Sequence, residues 1–166
     1  SGIETIAMAV AKIKAGLADC IIAGGTESMS LVPTVGYKTV PNYNIAKDHG
    51  DYFLGMGLTA EEVAVKYTIS REDQDAFALG SHQKALKALA EGKFKNQIVP
   101  FEVEQVDFDP ATNKRVTSSY IVDTDEGPRA DTTLEALARL KPAFKNNGTV
   151  TAGNSSQTSD GASFVL

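Results

Sequence analysis

The chain has 166 residues, of which 42% are apolar, 7% aromatic and 22% charged, a composition typical of globular proteins and unlike that of disordered or fibrous chains. Sixteen Lys and Arg residues against twenty-one Asp and Glu residues give a formal net charge of −5, so the chain lacks the positive field that attracts nucleic acids and anionic membranes. Apolar runs stay far shorter than the ~20 residues of a membrane-spanning helix. We therefore expect no nucleic-acid partner, no membrane partner and no signal peptide.

The first predicted elements are a helix over 3–17 and a strand over 18–23. Apolar residues recur in the helix at steps of three and four and form one stripe: Ile3, Ile6, Val10, Ile13 and Leu17. Because no cap precedes this helix, we expect a further segment of chain before it. Without covering layers, the stripe would be exposed and would favour self-association. The unalternated run 18–23 predicts a buried strand, and the pair favours an α/β fold.

A long irregular segment rich in Pro, Gly and Asn follows Met29, and segments of this length are usually functional. Two helices come next, one capped at Thr59 and one that begins at Ser70 and ends before Gly92. The apolar side of the second helix carries Phe77, Ala85 and Leu89. The alternation over 98–122 predicts a hairpin, and its change of phase predicts a bulge. A third capping box at Thr132 precedes a short helix, and an apolar strand or helix ends the chain.

These elements predict two parts. Residues 1–30 and 146–166 form part of a layered α/β domain, and residues 31–145 are an insertion.

One candidate motif, Gly55-Met-Gly57-Leu-Thr-Ala60, matches the pattern of a dinucleotide site at the start of a helix. A confirmed site would need a strand directly before the motif. Turn residues precede it instead, so a glycine-rich turn into a helix capped at Thr59 is the favoured interpretation.

The single cysteine, Cys20, is a candidate nucleophile with His49 or His82 as its base. Its place in an apolar strand favours an inert packing role instead. One cysteine and two distant histidines form no zinc signature, so we expect no metal. A lone cysteine also cannot form an internal disulfide, which predicts a cytoplasmic location.

The segment 152–161 gathers amide, hydroxyl and carboxylate groups among glycines. Such a composition suits a polar ligand as well as it suits an ordinary turn. Both interpretations stay open at this point.

Seven ordered runs resemble the thiolase family, and together they extend over essentially the whole chain. Among them are Met-Gly-Leu-Thr-Ala-Glu at 56–61 and Thr-Val-Thr-Ala-Gly-Asn at 149–154; the others lie at 1–9, 23–30, 70–75, 140–144 and 160–162. The run at 56–61 is closer to degradative 3-ketoacyl-CoA thiolases than to biosynthetic acetoacetyl-CoA enzymes. The resemblance implies part of an α/β/α N-terminal domain with an inserted α+β loop domain that covers coenzyme A.

The resemblance also implies a function. Thiolases cleave 3-ketoacyl-CoA with coenzyme A, or condense acyl-CoAs in reverse, through an acyl-cysteine intermediate, and they are homo-oligomers, dimers or tetramers. Their nucleophile lies in a Cys-Ser-Ser-Gly or Cys-Ala-Ser-Gly motif, of which Ser1-Gly2 would be the tail, and their acid and base lie in a C-terminal domain. We therefore expect no catalytic residue and no activity in these 166 residues. Coenzyme A is expected as a substrate, with no covalently bound cofactor.

Three residues match coenzyme A contacts of the family. Ser156 matches a serine that forms a hydrogen bond with the pantetheine arm. Arg129 matches a basic residue near the adenine and phosphate end of coenzyme A. Met56 matches a methionine that lines the tunnel for the acyl chain and pantetheine.

Three other positions depart from the family pattern. Gly55 replaces a histidine and Ala136 a serine of biosynthetic members, and Thr26 replaces a common methionine. The first two departures count against acetoacetyl-CoA as the substrate. The alternative to an enzyme is a noncatalytic module that binds coenzyme A or a dinucleotide.

Overall fold

The computed structural model describes residues 2–33 and 35–166. Five α-helices, a 3₁₀ helix and four strands follow one another along these residues: α1 (Gly2–Lys14), β1 (Ala23–Glu27), α2 (Tyr43–Asp48), the 3₁₀ helix (Gly50–Phe53), α3 (Met56–Tyr67), α4 (Arg71–Ala90), β2 (Phe101–Phe108), β3 (Arg115–Val122), α5 (Leu134–Ala138) and β4 (Gly161–Val165). The helices described here are too short or too polar to cross a membrane.

The chain divides into two compact units. The first comprises Ser1–Leu54 with Ser156–Leu166, and the second comprises Gly55–Ser155. These units describe contacts within the chain, and an insertion over 31–145 stays a prediction.

In the first unit, β1 pairs with β4 as an antiparallel ribbon, from Ala23 opposite Val165 to Glu27 opposite Gly161. Gly24 allows the two strands to approach closely, because a Cβ there would collide with Ser163 and Phe164. Helix α1 is attached to this ribbon by the Thr5 hydroxyl, which donates to the carbonyl oxygen of Gly24 at 2.7 Å. The predicted final element is therefore a strand.

The strand predicted over 18–23 is wrong. Backbone pairing starts at Ala23, the buried first residue of β1, and Cys20 lies exposed in the irregular segment before it. Pairing with β4, not hydrophobicity, determines where this strand begins. The helix predicted over 3–17 ends at Lys14. The predicted exposure of its apolar stripe is confirmed, with Ile3 85% exposed in α1 and Leu17 75% exposed beyond its end.

In the second unit, α4 has the predicted limits. The Ser70 hydroxyl oxygen accepts from the backbone N–H of Asp73, and Gly92, with a φ of 67°, follows its C-terminal end. On the expected apolar side of α4, Ala85 and Leu89 are half-buried, on the same side as buried Asp75. The expectation is wrong at Phe77, which is 80% exposed.

Two predicted caps are displaced. Helix α3 begins at Met56 rather than after Thr59, because Gly55 already has extended cap geometry and the Thr59 hydroxyl donates back to its carbonyl oxygen at 3.2 Å. Helix α5 is capped by Thr133, whose hydroxyl oxygen accepts from Ala136, and not by Thr132. In each case the predicted cap and the observed cap both fit the local sequence pattern, so the pattern could not distinguish them.

The predicted hairpin is confirmed and its bulge is wrong. The register is continuous from Phe101 opposite Val122 to Phe108 opposite Arg115. The change of phase has another cause: Val103 lies on one face of the hairpin and Val106 on the other, so both faces carry apolar residues.

Candidate functional site

A buried carboxylate in α3 organises the second unit. Glu61 is 3% exposed and accepts hydrogen bonds from the backbone N–H groups of Thr149, at 2.9 Å, and Val150, at 2.8 Å. Burial alone would raise the pKa of Glu61, but these bonds, the Thr149 hydroxyl and the charge of Lys145 lower it below its ordinary value. The ionised carboxylate therefore holds the backbone at 149–150 against α3.

An ion pair at the start of α4 holds the end of α5 and also the loop 149–155. Arg71 Nε lies 2.8 Å from Asp75 Oδ2, and Asp75 is 4% exposed. Arg71 Nη2 donates to the carbonyl oxygens of Leu137, at 2.6 Å, and Leu140, at 3.1 Å, at the end of α5. These contacts satisfy the pair, as a buried ion pair requires if it is to be tolerated.

The other oxygen of Asp75 reaches the loop 149–155. Asp75 Oδ1 accepts from Asn154 Nδ2 at 2.9 Å, and Asn154 Oδ1 accepts from the backbone N–H of Thr151 at 2.7 Å. Thr151 is fully buried, and its carbonyl oxygen accepts from the Ser155 hydroxyl. The loop is therefore ordered by side chains from α3 and α4 as well as by its own.

Four of the runs that carry the family resemblance meet in this network. The runs 56–61, 70–75, 140–144 and 149–154 contribute Glu61, Arg71 with Asp75, the Leu140 carbonyl and Asn154 respectively. Sequence reasoning assigned no role to Glu61, Arg71 or Asp75. Their hydrogen-bond partners lie far along the chain, and no local pattern in the sequence marks these positions as buried.

The predicted coenzyme A residues lie at the surface. Met56 is 77% exposed at the first position of α3. Arg129 donates to Asp131 through Nε at 3.1 Å and Nη2 at 2.8 Å, which raises the pKa of Arg129 and lowers that of Asp131. Both belong to the second unit. Ser156 is exposed in the first unit, directly after Ser155, and its hydroxyl donates to the Gln157 carbonyl oxygen at 3.2 Å.

The structure also bears on the other candidates. His49 is the C-cap residue of α2, and His82 accepts a hydrogen bond from the backbone N–H of Arg129. The motif at Gly55 follows a 3₁₀ helix instead of a strand, which removes the context that a dinucleotide site needs. Gly57 instead provides room for the Phe144 ring. Within residues 2–33 and 35–166, no cluster of His, Cys, Asp and Glu could hold a metal ion.

Comparison with known proteins identifies the family. The family model described as "Thiolase, N-terminal domain" matches residues 1–166. The chain belongs to the thiolase family. This thiolase chain is 54% identical over 166 residues to the 3-ketoacyl-CoA thiolase of Bacillus subtilis, covering 100% of the chain and 42% of that protein. It is 43% identical over 178 residues to the acetyl-CoA acetyltransferase of Pseudomonas aeruginosa, covering 100% of the chain and 43% of that protein.

A solved structure gives the same result for the fold. The dimeric peroxisomal thiolase of Saccharomyces cerevisiae matches with a TM-score of 0.72 and 38% identity, over 99% of this thiolase chain and 40% of that one. The predicted α/β class is therefore confirmed. The chain spans about two fifths of the length of the relatives it matches.

Proposed function

We propose that this chain is the coenzyme A-binding part of an acyl-CoA C-acyltransferase that cleaves 3-ketoacyl-CoA with coenzyme A, or runs in reverse. The observation that carries the proposal is the match of the thiolase family over the whole chain. The network around Glu61 and Asp75 supports it, because the family runs are the ones that order the loop 149–155. Covalent capture on a cysteine would divide the carbon–carbon cleavage into two acyl transfers.

The proposed binding residues have the chemistry that coenzyme A requires. Arg129 offers a permanent cation for a phosphate or the adenine end. Met56 offers an exposed, flexible thioether for the pantetheine and acyl chain, and Ser156 offers a hydroxyl for the pantetheine amides. All three are accessible, as residues that contact a ligand must be.

The substrate we propose is a 3-ketoacyl-CoA rather than acetoacetyl-CoA alone. Identity is 54% to one relative named 3-ketoacyl-CoA thiolase and 43% to another, against 43% to one named acetyl-CoA acetyltransferase, so the preference rests on the first of these relatives. Gly55 and Ala136 stand where biosynthetic enzymes carry histidine and serine, which is consistent with this preference.

We propose that the nucleophile and the proton carriers of the reaction are not among these residues. Cys20 is the single cysteine, and it lies exposed outside the helices and strands. A turnover assay with acetoacetyl-CoA and a longer 3-ketoacyl-CoA should therefore show no activity of the 166-residue chain. Robust activity that is lost on Cys20→Ala would contradict this.

For the whole protein we propose a homo-oligomer in the cytoplasm. A related structure is described as dimeric. Some relatives are named as peroxisomal, so cell fractionation decides the compartment and light scattering the assembly. A monodisperse monomer would count against the oligomer.

Calorimetric titration with coenzyme A tests the binding site. Arg129→Ala should weaken binding about tenfold or more, because a charge-assisted bond to a phosphate is lost. Arg115→Ala, which removes the same charge from an exposed position of β3, is the matched control and should change affinity less than about twofold. Equal effects of the two variants would refute the assignment of Arg129. Binding of NAD by the original chain, without binding of coenzyme A, would favour the dinucleotide alternative.

A further inference from the structure

His82, on α4, contacts the backbone of Arg129. Its ring lies half-buried on α4, and Nδ1 accepts a hydrogen bond from the backbone N–H of Arg129 at 3.1 Å, although the two residues are 47 positions apart. A hydrogen bond in this direction uses the lone pair of Nδ1 as acceptor. The contact therefore joins the ring of His82 on α4 to the backbone of Arg129.

Arg129 lies in a segment without helix or strand, and its side chain is paired locally. The guanidinium bonds only two residues along the chain, to Asp131, and the two side chains are 67% and 71% exposed. An exposed pair of this kind orients the guanidinium but contributes little to holding the segment in place. Within the described ranges, the hydrogen bond to His82 is the one that joins α4 to Arg129.

We propose that His82 is a positioning residue for coenzyme A: it holds the backbone of Arg129 on α4 so that the guanidinium, oriented by Asp131, meets the 3′-phosphate. This inference rests on the proposed function. A planar guanidinium binds a phosphate through paired N–H groups, and such bonds depend on orientation. A shift of the Arg129 backbone would therefore weaken phosphate binding without removing any group that contacts the ligand.

Two substitutions separate positioning from loss of structure. His82→Ala removes the hydrogen-bond acceptor. His82→Asn keeps one, because the amide oxygen of Asn is two bonds from Cβ, as Nδ1 of His is. Gln83→Ala, at the exposed neighbouring position of α4, is the matched control. Calorimetry should show affinity for coenzyme A about fivefold weaker in His82→Ala, the factor expected for one lost hydrogen bond, and close to the original in His82→Asn and Gln83→Ala.

Dephospho-coenzyme A, which lacks the 3′-phosphate, is the second ligand. Its affinity should be nearly the same in the original chain and in His82→Ala, because the group that Arg129 meets is absent. Equal losses for both ligands would indicate a general structural defect and overturn the inference. So would full affinity in His82→Ala, or a failure of His82→Asn to restore it.

Hydrogen exchange of the Arg129 amide, followed by NMR without ligand, keeps this inference separate from the proposed function. The amide should be protected in the original chain and in His82→Asn, and exchange faster in His82→Ala. An unprotected amide in the original chain overturns the positioning role whatever coenzyme A does. A protected amide in a chain that binds no coenzyme A supports the contact and refutes the proposed function.

Discussion

The network around Glu61 and Asp75 and the β2–β3 hairpin belong to the same unit but are held together differently. In the network, buried charges accept hydrogen bonds from backbone and side chains 79 to 89 positions away along the chain. In the hairpin, each strand pairs with its immediate neighbour in sequence, and nearly every residue is exposed. A substitution in the network leaves a buried polar group without its hydrogen-bond partner. A side-chain substitution in the hairpin leaves polar groups that water can still reach.

The largest expected effect is that of Asp75→Asn. It leaves Arg71 without its buried partner, and breaking a buried ion pair in this way costs about 3–5 kcal/mol. Asp107→Asn makes the same chemical change on the exposed hairpin and should alter the free energy of unfolding by no more than about 0.5 kcal/mol. Urea titration measures both. Similar values for the two variants would remove the distinction between the regions.

The stability of the network should depend on pH because of Glu61. Its pKa is lowered in the folded chain from an ordinary value of 4.5, so its ionisation stabilises the fold above that value, and this stability is lost as the pH falls through the folded pKa. Glu61→Gln should therefore be less stable than the original chain at neutral pH, with the difference shrinking in acid.

Glu62→Gln is the matched control, because the neighbouring Glu62 is exposed and bonds Lys145 at 3.3 Å. Its unfolding midpoint should follow that of the original chain at every pH. A difference between Glu61→Gln and the original chain that stayed constant down to acid pH would show that ionisation of Glu61 is not what stabilises the loop.

Two glycines are expected to respond with opposite signs, and with smaller effects. A Cβ at Gly57 would collide with the Phe144 ring, so Gly57→Ala should destabilise by about 1–3 kcal/mol. Gly80 lies within α4 with open space around it, so Gly80→Ala should stabilise by about 0.5–1 kcal/mol. Thermal unfolding checks both signs. A Gly57→Ala chain as stable as the original would show that Phe144 moves aside freely.

Local elements were the predictable part of the structure. The cap of α4 at Ser70, its end at Gly92 and the hairpin all follow from residues within a few positions of one another. The cap of α3 was misplaced by one turn, because Gly55 and Thr59 are both acceptable cap residues and only the backbone geometry at Gly55 distinguishes them. Cys20 was misplaced for a different reason, since β4, far along the chain, determines where β1 begins.

The sequence by itself determined the family, the helical and hairpin periodicities, and the chemistry of the residues proposed to meet coenzyme A. Only the tertiary structure decided why the family runs belong together and which charges are buried. An ionised Glu61 or Asp75 is tolerated inside the protein because donors from distant segments satisfy it, and such partners have no signature at either position alone. The contact of His82 with Arg129 is of the same kind, joining through space two residues that no spacing in the sequence relates.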